Sequence, residues 1–173
     1  MAKTIAIVGN GPSRRLFDTF DGDICLCNIP QLDIDYTYVS IVDRIAFNHI
    51  KEKEYKIRDI LTTQELHNAV SKWGLDTKPA FKLKLMNSAA TAAYYFAQDY
   101  DVIHLYGCDA LWSEVTTSHQ DEIIKRPPRN PNLHKQWRKH WQTVWETDKT
   151  FVIHHPIGEQ PIDYRQNVCW VGE

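Results

Sequence analysis

The chain has 173 residues, 43% hydrophobic and 24% charged, with a formal net charge of -2, which describes one soluble globular domain long enough for a single core. Its 7 Gly and 8 Pro are scattered, which excludes disordered, fibrous and repeat architectures. No apolar run suits a secretory core or a spanning helix, Ile5 to Val8 near the start being far too short, so a cytoplasmic location without a membrane span is expected.

Lys3 to Val8 is a β-branched run that stops at Gly9-Asn10-Gly11-Pro12-Ser13 and continues into Arg14, Arg15, Leu16 and Phe17, which reads as strand, tight turn and helix, with Pro12 suited to the first helical turn. Further apolar runs, Ile24 to Cys27 and Tyr36 to Val42, end on the polar residues Asn28 and Asp43. Tyr55 to Leu61 is a weaker strand candidate. Thr63 to Trp73 carries Leu66, Ala69, Val70 and Trp73 at helical spacing and closes at Gly74, a helix with a glycine stop. Phe81 to Leu85 is a short strand candidate, after which Asn87 or Ser88 caps an alanine-rich helix over Ala89 to Gln98. Val102 to Tyr106 is a buried strand ending at Gly107-Cys108-Asp109.

Residues 111–131 are polar and proline-punctuated, a long loop or lid. Leu133 to Trp145 is the clearest helix, because Trp137, Trp141, Val144 and Trp145 form a stripe opposite a charged face. Thr150 to His154 supplies a last inner strand and Asn167 to Val171 an edge strand. The four cysteines, Cys25, Cys27, Cys108 and Cys169, lack metal-ligand spacing and read as reduced core thiols.

Alternating strands and helices predict an α/β domain over residues 1–173, a Rossmann-like, doubly wound, mostly parallel sheet with helices on both faces. Ligands of such sheets sit beyond the carboxyl ends of the strands, where the Gly9–Ser13 turn, Asn28, Asp43, Ser88 and Asp109 are expected to converge. The turn offers backbone N–H groups and a helix N-terminus to a phosphate. It is neither a Walker A loop, since no Gly-Lys-Ser/Thr follows, nor a full dinucleotide fingerprint, since Arg14 stands at the third glycine.

The string Val8-Gly9-Asn10-Gly11-Pro12-Ser13 resembles the opening of the bacterial sialyltransferases of glycosyltransferase family 42, and more loosely that of motility-accessory and 6-hydroxymethylpterin diphosphokinase-like proteins. Cys27-Asn28, Asn87-Ser88 before the alanine-rich helix, and His104-Leu105-Tyr106-Gly107-Cys108-Asp109 continue the resemblance in order, and His134 falls where that family keeps its catalytic histidine. The resemblance implies a CMP-type nucleotide-sugar donor, contacted by Gly9, Asn10, Gly11, Ser13, Asn28, Asn87 and Ser88, with Gly107 and Asp109 on the cytidine side. It also implies metal-independent, inverting transfer with His134 as general base and no cofactor.

The tyrosines that assist the leaving phosphate in that family are replaced here by Ala110, Leu111 and Trp112. Arg126 and Arg129 are the expected substitutes, guanidinium forks being good phosphate ligands. Two other functions fit the same residues, a non-catalytic nucleotide-binding or nucleotide-sequestering module and a pterin-type diphosphotransferase. Asp21-Gly22-Asp23 and Asp33-Ile34-Asp35 have the shape of metal-holding pairs but read as turn and surface aspartates, and no metal site is expected. His154 and His155, adjacent on a strand, point to opposite faces. The expected partner is a nucleotide or nucleotide-sugar ligand, with self-association left open. The sequence pI of about 6.4 argues against a dedicated nucleic-acid binder.

Overall fold

The computed structural model describes residues 1–30, 33–80, 87–159 and 165–173. Among them, eight strands form one sheet: β1 (Thr4–Val8), β2 (Asp23–Cys27), β3 (Tyr38–Ser40), β4 (Ile60–Thr62), β5 (Thr77–Pro79), β6 (Val102–Tyr106), β7 (Thr150–His155) and β8 (Val168–Gly172). Their order is β5-β4-β3-β2-β1-β6-β7-β8, and every pairing is parallel. The first five strands run outward from β1 and the chain then returns to lay β6 on its other edge. The topological switch point therefore lies between β1 and β6.

Register sorts the core. Ile5 and Ile7 align with Ile103 and Leu105 of β6, and Ile7 with Cys25 of β2. This face packs under α3 (Ser88–Phe96) and α4 (Leu133–Trp145) in one buried cluster with Phe151 and Ile153. Ala89, Ala90, Ala92 and Ala93 are buried there, and their small side chains let α3 lie close against the sheet.

The opposite face carries Val39 and Ile60 under α1 (Arg44–Lys53), whose Ala46, Phe47 and Ile50 are buried. Val70 of α2 (Gln64–Val70) completes that cluster. Leu16, Phe17 and Phe20 cover Ala6, Val8 and Leu26 beside it. Helices on both faces of a parallel sheet make this the doubly wound α/β architecture that the sequence predicts. No helix among the described residues is long and apolar enough to cross a membrane.

Several elements depart from expectation. The helix after Pro12 is a single 3-10 turn, Pro12–Leu16, because Phe17 returns to extended backbone at φ -78 and ψ 122. Helix α1 was not foreseen, although Asp43 caps it by accepting a 2.8 Å hydrogen bond from Ile45 N–H. Residues 55–59 are not strand, and β4 begins at Ile60. Strand β5, ending at Pro79, stands where no strand was expected, whereas the Phe81 to Leu85 candidate lies outside the described residues. Cys25, Cys27 and Cys108 are buried free thiols, but Cys169 is exposed on edge strand β8 and is not a core residue.

Candidate functional site

At the switch point two backbones touch. Gly9 N–H donates to Tyr106 O at 2.8 Å and Gly11 N–H to Gly107 O at 2.9 Å. A Cβ on Gly9 would sit 2.7 Å from Gly107 O, and one on Gly107 would sit 2.5 Å from Gly9 O. Real Cβ atoms do not approach carbonyl oxygens so closely, so glycine is required at both positions. Gly107 also has φ +64, the left-handed region that other residues enter at a cost.

Asp109 lies just beyond and is buried. Its carboxylate accepts from Ser13 N–H at 3.1 and 3.2 Å and from Ser13 Oγ–H at 2.6 Å. A carboxylate thus already sits at the start of the 3-10 turn, where anions are stabilised. Gly9, Gly11 and Ser13 N–H groups all have protein acceptors, Pro12 has no N–H, and Arg14 N–H donates to Gly11 O. Among the turn's amides, Asn10 N–H alone has no hydrogen bond to a described residue. The sequence presents this turn as a phosphate cradle; in the structure it is a clamp, closed by the protein's own anion.

The cavity lies against the outer side of that clamp. It encloses about 500 Å3, within the usual range for small-ligand sites. Gly9, Asn10, Gly11, Asn28, Asn87, Ser88, Gly107, Asp109, Arg126 and Arg129 line it, so every residue expected at the site is in its wall except Ser13 and His134. Ser13 is fully buried behind the wall in its bonds to Asp109.

Polar side chains knit the floor. Asn28, at φ 61, takes the left-handed conformation that asparagine tolerates better than most residues. Its Oδ1 accepts from Ser88 Oγ–H at 3.2 Å, and Ser40 Oγ–H donates to Ser88 O at 2.7 Å. Asn10 Nδ2–H donates to Cys27 O at 2.9 Å. Asn87 caps α3 by accepting from Ala90 N–H at 2.7 Å.

Three helix starts open onto the cavity: Arg44 and Ile45 of α1, Ser88 and Ala89 of α3, and Leu133 of α4. Each contributes the positive end of a helix dipole. Arg126 and Arg129 add full positive charges to the same wall, against the carboxylates of Asp43 and Asp109, whereas the Arg44 guanidinium bonds Asn48 and lies over Trp73, residues outside the cavity lining. Burial, with Arg129 beside it, lowers the pKa of Arg126 below the usual guanidinium value. Trp137 supplies an apolar panel, and Trp141 behind it is buried and stacked on Trp145 with ring centroids 5.0 Å apart. Trp141 and Trp145 are core residues, as their helical spacing predicts, whereas Trp137 is half-buried at the cavity edge and outside the core cluster.

The expected loop or lid, residues 111–131, borders this cavity, with Val115, Thr116, Thr117 and Ser118 at one end and Arg126 to Arg129 at the other. The middle is firmly attached. Gln120 is buried and its side-chain amide bonds both the N–H and the carbonyl of Ile29. His119 N–H donates to Asn10 O at 2.9 Å. Ile124 is buried in the α1 cluster.

His134 is buried at the first turn of α4 and does not line the cavity. Its spacing of three residues to Trp137 and seven to Trp141 puts it on the same stripe of α4 as those wall residues, so the imidazole is buried beside the wall rather than on another face. Its Nε2 lies 3.9 Å from the exposed Glu114 carboxylate, and its Nδ1 is buried without a hydrogen-bond partner among the described residues. The Asp-x-Asp pairs lie elsewhere: Asp21, Asp33 and Asp35 are exposed, and Asp23 binds Thr37 Oγ1–H and Tyr100 Oη–H. His154 and His155 do diverge, His154 bonding His104 and Glu173 while His155 packs on Trp112 and Trp170.

Arg44, Trp137 and the hydroxyl run Thr116-Thr117-Ser118 were not expected in the wall. Arg44 follows the strand-end residue Asp43, which is the signal that would have found it. Comparison with protein families, with curated proteins and with solved structures finds no match to this chain.

Proposed function

We propose that the switch-point cavity binds a nucleotide-activated sugar of the CMP type and that the protein transfers its sugar without a metal ion, with inversion. The observation that carries this is the convergence of three α-helix N-termini and two arginines, Arg126 and Arg129, on one cavity of nucleotide size. Dipoles and guanidinium groups stabilise a phosphate in the ground state and, more strongly, a phosphate gaining charge as it leaves. The half-buried face of Trp137 suits a base or sugar ring.

In the transfer, His134 takes the proton of the acceptor hydroxyl. The freed oxygen attacks the anomeric carbon, the anomeric carbon–oxygen bond breaks, and CMP departs with the bonding electron pair. For His134 to act so, the first turn of α4 must shift, because the imidazole lies behind the cavity wall. That same placement favours a second reading, a nucleotide-binding module that does no chemistry.

Thermal-shift measurements with CMP, CDP, UDP, GDP and ATP test the binding, since a ligand that prefers the folded state raises its melting temperature by mass action. A clear rise is expected with CMP, and no rise with any of the five would sink both readings. His134→Ala separates them. Retained CMP binding with loss of donor hydrolysis or transfer supports the enzyme. Wild-type protein that binds CMP but turns over no CMP-sugar supports the module, and a Mg2+ requirement would point to a diphosphotransferase.

A further inference from the structure

The lid is held over the cavity by charges that a phosphate ligand would also seek. Arg126 pairs through one terminal nitrogen with Asp43, and its Nε lies 3.9 Å from Asp121. Arg129 donates to both oxygens of Asp121, at 2.8 and 2.6 Å. Asp121 also accepts from Ser118 N–H at 2.9 Å, and its pKa is lowered chiefly by the hydrogen bonds from Arg129. The two arginines therefore differ. Arg129 is bound within the lid, whereas Arg126 reaches across to Asp43, the N-cap of α1 on the fixed body of the domain.

We propose that Asp43 is an internal competitor for Arg126, so that the Arg126–Asp43 pair latches the lid and a phosphate-bearing ligand opens the latch by taking Arg126 from the carboxylate. The inference rests on the anion-binding assignment of the cavity and adds how entry is regulated. Both side chains of the pair are largely shielded, at 14% and 26% exposure, so their attraction is less screened than that of a surface pair. Both residues also line the cavity, so an anion entering there meets the pair directly. The segment from Lys125 to Pro131 lies between the buried anchor Ile124 and α4. Among the described residues, the Arg126–Asp43 pair is the ion pair that ties this segment to the body.

Asp43→Asn is a clean probe. Asparagine retains the oxygen that caps Ile45 N–H and caps helices as well as aspartate does, but it removes the charge facing Arg126. Arg126→Gln breaks the same latch from the other side. Trypsin cutting after Lys125 and Arg129, without ligand, reports lid release in both variants, since the Arg126–Pro127 bond resists the protease. Binding of inorganic phosphate by calorimetry reports the anion site.

The expected pattern is at least threefold faster lid cleavage in both variants, with phosphate affinity raised at least threefold by Asp43→Asn and lowered at least threefold by Arg126→Gln. Cleavage at the wild-type rate in Asp43→Asn would overturn the latch, and released cleavage with unchanged phosphate affinity would overturn the competition. If neither wild type nor Asp43→Asn binds phosphate or any nucleotide, the anion-site assignment fails, while the cleavage rates still decide the latch.

Discussion

Asp109→Ala tests whether the clamp holds the switch point. Asp109 is 8% exposed and Ser13 1% exposed, and three contacts of 2.6 to 3.2 Å join them across 96 residues of chain. Truncation leaves Ser13 N–H and Oγ–H buried without their acceptor, and each unpaired buried donor costs about 1–3 kcal/mol. A loss of about 4 kcal/mol is therefore expected, which for a domain of this size lowers the melting temperature by about 8–16 °C. Asp109→Asn retains one acceptor oxygen and should lose about 1–2 kcal/mol. Ser13→Ala removes only the hydroxyl bond and should lose a similar amount, about 1–2 kcal/mol. Circular dichroism melts of the three variants and of the Asp109→Ala, Ser13→Ala double variant give the coupling, expected above about 1 kcal/mol for groups in direct contact. A melting temperature within about 3 °C of wild type for Asp109→Ala, under about 1 kcal/mol, would refute the clamp.

Glycine substitutions should split sharply. Gly107→Ala combines φ +64 with a Cβ 2.5 Å from Gly9 O and should lose well over about 3 kcal/mol or fail to accumulate as folded protein. At Gly74, with φ +79 and nothing within 4 Å, alanine should cost only about 1 kcal/mol; equal melting temperatures for the two variants would contradict the close-packed switch point. Burial lowers the pKa of His104, His119 and His140 below the usual histidine value. Their neutral forms therefore favour the folded state, so this stability is present above about pH 6.5 and is lost as pH falls below it; urea unfolding at pH 7.5 and 5.5 should show weaker folding in acid, and a flat profile would count against it. Burial raises the thiol pKa of Cys25, Cys27 and Cys108, whereas Cys169 is exposed. Ellman's reagent at pH 8 should modify Cys169 quickly and the other three only after denaturation, and rapid reaction of more than one thiol would contradict this packing.

Where apolar periodicity was strong, the fold was legible in the sequence. Val102 to Tyr106 and Leu133 to Trp145 are observed as expected, because a continuous buried run and a one-sided tryptophan stripe leave little choice of structure. Helix α1 escaped because only Ala46, Phe47 and Ile50 are buried while Arg44, Ile45, Asn48, His49, Lys51, Glu52 and Lys53 fill the rest, so its Asp43 cap is a stronger signal than its stripe. Convergence on the switch point was also legible, since it follows from strands ending in Gly9, Asn28, Asp43 and Gly107. Pairing was not. Asp109 with Ser13, Asp43 with Arg126 and Gln120 with Ile29 join distant residues, and no local pattern announces them. For the same reason the Gly9–Ser13 turn looked open to phosphate, although the carboxylate of Asp109, three residues beyond β6, already fills its helix start. Helical phase indicated that His134 faces the body, as it does, but not that its ring would stop short of the cavity that Trp137 and Trp141, on the same stripe, border.

The most direct measurement of the central claim is a calorimetric titration with CMP of wild type and of the Arg126→Gln, Arg129→Gln double variant. One saturable site is predicted for wild type, with affinity at least tenfold weaker in the folded variant, about 1.4 kcal/mol or more. No heat of binding with wild type, or equal affinity in the two proteins, would contradict an anion-binding cavity at the switch point.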